Sequence, residues 1–188
     1  MKECFTGFCP RCLKETELKE INAKENIKVR EEIFSVPVHY YKCSSCNEEF
    51  MNLNDPVDPL DTAYRLYRKK HGWLQPEEIK NFRKSYNLTQ KELADILSLG
   101  DVTLSRYENG ALQDAAHEKI LRTAMNPQVF LNWIEQKPEA IPDREKRNVI
   151  IQQIRERIDT SMNTLYWLDW EKTDIIQYSN KNAIPLAA

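Results

Sequence analysis

Two pairs of cysteines constrain this chain more than any other feature. Cys9-Pro-Arg-Cys12 and Cys43-Ser-Ser-Cys46 follow the spacing C-x2-C-x30-C-x2-C. A C-x-x-C segment folds as a tight knuckle that offers two sulfurs together, and two knuckles complete a tetrahedron suited to Zn2+. With Cys9, Cys12, Cys43 and Cys46 all ligating, no position is left open for an activated water, so the expected metal is a structural Zn2+. An assembly this small would draw part of its folding energy from the metal. Between the knuckles, Ile27-Lys-Val-Arg30 and Ile33 to Tyr41 alternate and are rich in β-branched residues, which predicts a short antiparallel sheet. Cys4 is the odd cysteine. It reads best as a small buried apolar residue, with a spare ligand or a redox sensor as alternatives. His39 reads as a surface or strand residue, because four thiolates already saturate zinc.

A segment with two prolines, Pro56 and Pro59, then reads as a linker. Ala63 to His71 is expected to form a basic helix whose Arg65, Arg68, Lys69 and Lys70 make either a solvated face or phosphate contacts. Pro76 with Glu77 and Glu78 starts a further helix that buries Ile79, Phe82 and Tyr86.

Leu88 to Gly110 has the pattern of a helix-turn-helix. Thr89 with Glu92 three residues later is a capping box, and Leu93, Ile96 and Leu97 follow at helical spacing. Gly100 is expected to supply the left-handed or tight backbone between this helix and a second, from about Asp101 to Tyr107. In such a pair the second helix enters the major groove of DNA. Leu104 and Tyr107 fall on its inward side, with Asp101, Val102 and Arg106 opposite. Arg106 suits guanine O6 and N7, or a neighbouring acid; Val102 suits a thymine methyl, or the core; Asp101 suits cytosine N4, or a helix cap. Gln90 opens the first helix where a phosphate can sit, and Asn109 either does the same or ends the second helix with Gly110.

Asp114 can cap a helix running to about Met125, with Ile120, Leu121 and Ala124 inward. Val129, Phe130, Trp133 and Ile134 make another short face. After Pro138 and Pro142, Asp143 can cap a long helix with the stripe Ile151, Ile154, Ile158, Met162 and Leu165, thickened by Tyr166, Trp167 and Trp170. That stripe packs on the helical domain or serves as a dimer or partner surface.

In 188 residues, 41% apolar and 30% charged, no run approaches the ~20 residues that span a bilayer. The opening Met-Lys-Glu-Cys-Phe lacks the apolar core of a signal peptide, so a cytoplasmic location with no membrane contact is expected. The net charge of −2 is evenly spread, so any DNA contact must rest on a local face. His39, His71 and His117 form no catalytic arrangement, which argues against an enzyme.

The cysteine pairs, Tyr64-Arg65, Leu88-Thr-Gln-Lys-Glu-Leu-Ala94 and Gly100 to Asp114 together resemble the MqsA/YgiT-type zinc-finger and helix-turn-helix proteins, over roughly residues 4 to 135. Residues and resemblance together give an α+β chain: a zinc-binding β-rich domain over 1–52, a linker over 53–62, an all-α helix-turn-helix domain of the Xre/Cro type over 63–136 and, beyond the span of the resemblance, a helical extension over 137–188. The resemblance also implies an antitoxin of a type II toxin–antitoxin system, which binds a toxin protein through the zinc domain. As a homodimer it would repress its own operon from a palindromic double-stranded operator. A stand-alone regulator, or a toxin-neutralising module with little DNA binding, are the alternatives. Leu13 and Asn47 depart from the family, which usually has glycine after each knuckle, so the knuckle backbones are expected to differ.

Overall fold

The computed structural model describes residues 4–51 and 57–160. Four strands come first: β1 (Cys4–Cys9), β2 (Lys14–Val29), β3 (Glu32–Cys43) and β4 (Glu49–Met51). They form one antiparallel sheet in the order β1-β2-β3-β4. Helices follow: α1 (Pro59–His71), α2 (Pro76–Ser85), α3 (Gln90–Leu97), α4 (Asp101–Glu108), α5 (Ala115–Ala124), α6 (Pro127–Gln136), a 3-10 turn at Pro138–Ala140, and α7 over 144–160. The class is α+β, as expected. None of the described helices is long and apolar enough to cross a membrane.

The chain divides into two compact units. The first comprises the described residues up to Lys80 together with Arg106–Asp114; the second comprises Asn81–Ser105 and the described residues from Ala115 onward.

In the first unit the β2–β3 hairpin is longer than its apolar runs suggest, pairing from Leu18 with Cys43 to Val29 with Glu32. The buried positions of β2 change phase along the strand. Thr16 and Leu18 are buried at its start, whereas Ala23, Ile27 and Val29 turn inward further on. Side chains of a strand alternate between faces, so an even-to-odd switch means that the two ends bury opposite faces. At one end Leu18 packs with Cys9 and Cys43; at the other Val29, Val36 and Val38 pack with Ala63 and Tyr67 of α1. Helix α1 begins at Pro59, four residues before the expected start, because the Asp58 carboxylate accepts from the Leu60 amide and Pro59 opens the first turn.

Arg65, Arg68 and Lys70 of the basic run in α1 are engaged internally. Arg68 is fully buried, donating to Gln113 Oε1 at 2.9 Å and to the carbonyls of Gly110 and Ala111 at 2.8 Å each. Gln113, itself buried, donates to the Leu74 carbonyl at 2.7 Å. Arg65 pairs with Asp61 and Glu77, and Lys70 with Glu32. The segment after α4 is thereby tied to α1. Gly110 has φ 103°, and a Cβ there would lie 2.9 Å from Asp61 Oδ1, so both conformation and space call for glycine.

In the second unit α3 packs against α5, α6 and the 3-10 turn. Phe82, Tyr86 and Phe130 form an aromatic cluster with centroids 5.0–5.5 Å apart. Asp143 accepts from the amides of Glu145 and Lys146 and so starts α7, whose Ile150 and Ile154 are buried while Ile151 and Ile158 are half-buried. The described part of the extension therefore packs on helices of its own unit. Met162, Leu165, Tyr166, Trp167 and Trp170 lie outside the described residues.

Of the two backbones open to Gly100 between α3 and α4, the left-handed one is not taken. Ser98, with φ 56°, holds the left-handed position, and Gly100 does not. Helix α3 ends at Leu97, and the Leu99 amide donates to the Ala94 carbonyl at 2.8 Å, a bond that closes the helix with Ser98 just past its end. Gly100 instead directly precedes α4, its carbonyl accepting from the Thr103 amide at 2.9 Å.

Candidate functional site

The four paired cysteines converge at one end of the sheet. Cys9 closes β1, Cys43 closes β3, and Cys12 and Cys46 stand on the two turns that follow. Their sulfurs all lie within 4.8 Å of one another, with 3.7 Å between Cys9 and Cys46 and 3.9 Å between Cys12 and Cys43. Four thiolates at about 2.3 Å from a central Zn2+ define a tetrahedron with edges of about 3.8 Å. The set is thus spaced to hold one tetrahedral ion.

The two knuckles are near copies. The Leu13 amide donates to the Cys9 carbonyl and the Asn47 amide to the Cys43 carbonyl, each at 2.9 Å. Leu13 and Asn47 have φ of 55° and 58°. Both occupy the left-handed region that glycine takes most readily, so the knuckle backbones keep the glycine geometry without the glycine.

Thr16, which the sequence did not flag, is buried with its hydroxyl 3.2 Å from Cys43 Sγ. Once that sulfur is a thiolate, the hydroxyl is the group that donates. The Thr16 bond is the main cause that brings the Cys43 thiol down to about 6. Its neighbour Cys12 is pushed up to about 12, foremost by its hydrogen bond with Cys46. Four sulfurs this close cannot all ionise without a cation between them. Arg11 of the first knuckle donates to Glu48, beside the second, at 2.7 Å across the surface.

Two other readings of this end resolve differently. Cys4 is exposed at the start of edge strand β1, not buried, because the core that takes Cys9 and Leu18 does not reach it. His39 is a half-buried strand residue of β3, opposite Asn22, and is not among the clustered ligands.

The helix-turn-helix segment is built as its local signals suggest. The Thr89 hydroxyl accepts from the Glu92 amide at 3.1 Å, and the Thr89 amide donates to Glu92 Oε2 at 2.7 Å. Leu93, Ile96 and Leu97 are buried, as are Leu104 and Tyr107 of α4. The opposite side of α4 is open: Val102 is 69% exposed, and Arg106, one helical turn further on, is exposed with no ion pair among the described residues. The alternative that puts Val102 in the core therefore falls away. Asp101 begins α4, but its side chain lies outside the described residues. Gln90 is half-buried at the first position of α3. Asn109 is exposed just past α4, where the amides of Asn109, Gly110 and Ala111 turn back onto the carbonyls of Arg106 and Tyr107.

Comparison with known proteins adds two findings. The family model described as the antitoxin component of a bacterial toxin–antitoxin system, MqsA, matches residues 7–126. Antitoxin MqsA of Escherichia coli (strain K12) is 32% identical over 100 residues, covering 52% of this chain and 76% of that protein.

Proposed function

This chain belongs to the MqsA antitoxin family, and from that premise we propose that it is the DNA-binding repressor and antitoxin of a type II toxin–antitoxin pair. The observation that carries the DNA half is the open side of α4, with Val102 and Arg106 on one face and Leu104 and Tyr107 buried behind them. Arg106 donates to guanine O6 and N7, Val102 packs on a thymine methyl, and Asp101 accepts from a cytosine amine. Gln90 and Asn109 touch phosphate and fix the register. The protein acts as a homodimer on a palindromic operator, with its two recognition helices about one turn of DNA apart.

Zn2+ is the metal this reading assigns to Cys9, Cys12, Cys43 and Cys46. Its role is to hold β1, β3 and their turns together as a rigid surface for a toxin, with no catalysis. The protein works in the reducing cytoplasm, where the thiols stay available to the ion. Binding of the purified protein to the DNA upstream of its own gene, compared with Arg106→Ala, tests the repressor reading.

A second reading, an antitoxin that neutralises its toxin with little DNA binding, has one observation in its favour. Arg65, Arg68 and Lys70 are engaged by internal partners, which leaves α1 with less free positive charge than its sequence suggests.

A further inference from the structure

Helix α3 is eight residues long, and its last turn carries no basic residue of its own. An isolated helix shorter than about 12–15 residues is marginal in water, so α3 depends on what holds it. Two lysines from beyond residue 126, where the family match ends, do so. At the N-terminal end Lys146 of α7 donates to both oxygens of Glu92, at 2.9 and 2.7 Å. Glu92 is the same carboxylate that completes the capping box with Thr89. At the C-terminal end Lys137 donates to the carbonyls of Asp95 and Ile96 at 3.3 Å each, and to Ser98 Oγ. It thus supplies the cation that the negative end of the helix lacks, and it holds Ser98, the left-handed residue of the turn.

The two lysines are themselves set in one frame. Arg147 donates to the carbonyls of Pro138 and Ile141 at 2.8 and 2.7 Å, which closes the connection between α6 and α7. Arg155 of α7 donates to Glu135 of α6 at 2.9 Å, and Ile141, Ile150 and Ile154 are buried.

We propose that Lys137 and Lys146 are positioning residues for DNA binding: they bracket α3 from both ends and hold Gln90 and the turn in the binding geometry without touching DNA themselves. The C-terminal extension is then a built-in brace for the first helix of the helix-turn-helix. This inference rests on the repressor reading above.

The test uses the full chain, zinc-loaded, as wild type, Lys146→Met, Lys146→Arg and Lys137→Met. Hydrogen exchange without DNA should show protection of the Leu93–Leu97 amides falling about tenfold in each methionine variant, with α5 unchanged. Affinity for DNA upstream of the gene should fall by up to about tenfold, because Gln90 and the turn are no longer held in the geometry that meets the DNA backbone. The slope of log affinity against log salt should stay at the wild-type value, and Lys146→Arg should restore both readings. If Lys146→Met also loosens α5 and α6, Lys137→Met carries the same comparison from the other end of α3. Wild-type exchange and affinity in both methionine variants would overturn the proposal. So would a salt slope shallower by about 0.9, the signature of a lost phosphate contact. If the wild-type chain does not bind its upstream DNA at all, the repressor reading fails, and the exchange result alone decides whether the brace exists.

Discussion

Leu13 and Asn47 hold the same left-handed backbone, with φ of 55° and 58°, each one residue past its cysteine pair. The two knuckles thereby close alike, although neither position carries the residue best suited to that conformation. Leu13 is also 75% exposed, so its side chain contributes little packing in return. A β-carbon in this region costs about 1–2 kcal/mol, partly offset by the greater freedom of an unfolded glycine. Leu13→Gly should therefore stabilise the zinc-loaded protein by about 0.5–1 kcal/mol, read by denaturant unfolding. A loss of stability would show that the exposed leucine makes a contact worth more than its strain.

Thr16 supports the metal from behind Cys43. Removing a hydrogen-bond partner of a ligand typically weakens metal binding about 10–100-fold. Thr16→Val should lower zinc affinity by about tenfold in competition with a chromophoric chelator, while Thr16→Ser keeps it. The pH dependence has a definite sign. The Cys43 thiol is lowered from its ordinary 9.0 to about 6. That advantage is complete above the ordinary thiol range and lost as pH falls through about 6, so zinc should leave on acidification and leave Thr16→Val at higher pH than wild type.

Glu92 gives the second unit its own acid sensitivity. Burial acts to raise this carboxyl, but the bonds from Lys146 and Thr89 outweigh it and leave it below the ordinary carboxylate range. A depressed carboxylate adds stability that is complete above the ordinary range and lost as pH falls through its lower folded value. Glu92→Gln should lower Tm by about 2–4 °C at neutral pH, and the gap to wild type should close across that acidic window. A gap of constant width would mean that the charge on Glu92 contributes nothing.

Features set by neighbouring residues are legible in the order of the chain itself. The cysteine pairs, the Thr89–Glu92 box, Gly110 after α4 and the prolines that open α1 and α6 act within a few positions of themselves. What escaped depends on distant partners. Ser98 rather than Gly100 holds the left-handed position, two residues earlier, where Lys137 from the end of α6 meets the end of α3. The extent of β2 was hidden because its buried face changes where the strand leaves the metal cluster for α1. Arg68 reads as surface charge until Gln113, 45 positions away, takes it into the core. Thr16 carries no local mark of its role; only the register that brings β3 alongside β2 places its hydroxyl against Cys43. The same limit applies to α4: periodicity separated Val102 and Arg106 from Leu104 and Tyr107, but only folded burial took Val102 out of the core.

The base-reading role proposed for Arg106 can be tested on its own. Fluorescence anisotropy at one fixed salt concentration, on DNA upstream of the gene, compares wild type with Arg106→Ala after matching zinc content and Tm. A lost bidentate contact to guanine is worth about 1–3 kcal/mol, so Arg106→Ala should bind about tenfold to a hundredfold more weakly. Equal affinity of the two proteins would contradict the account.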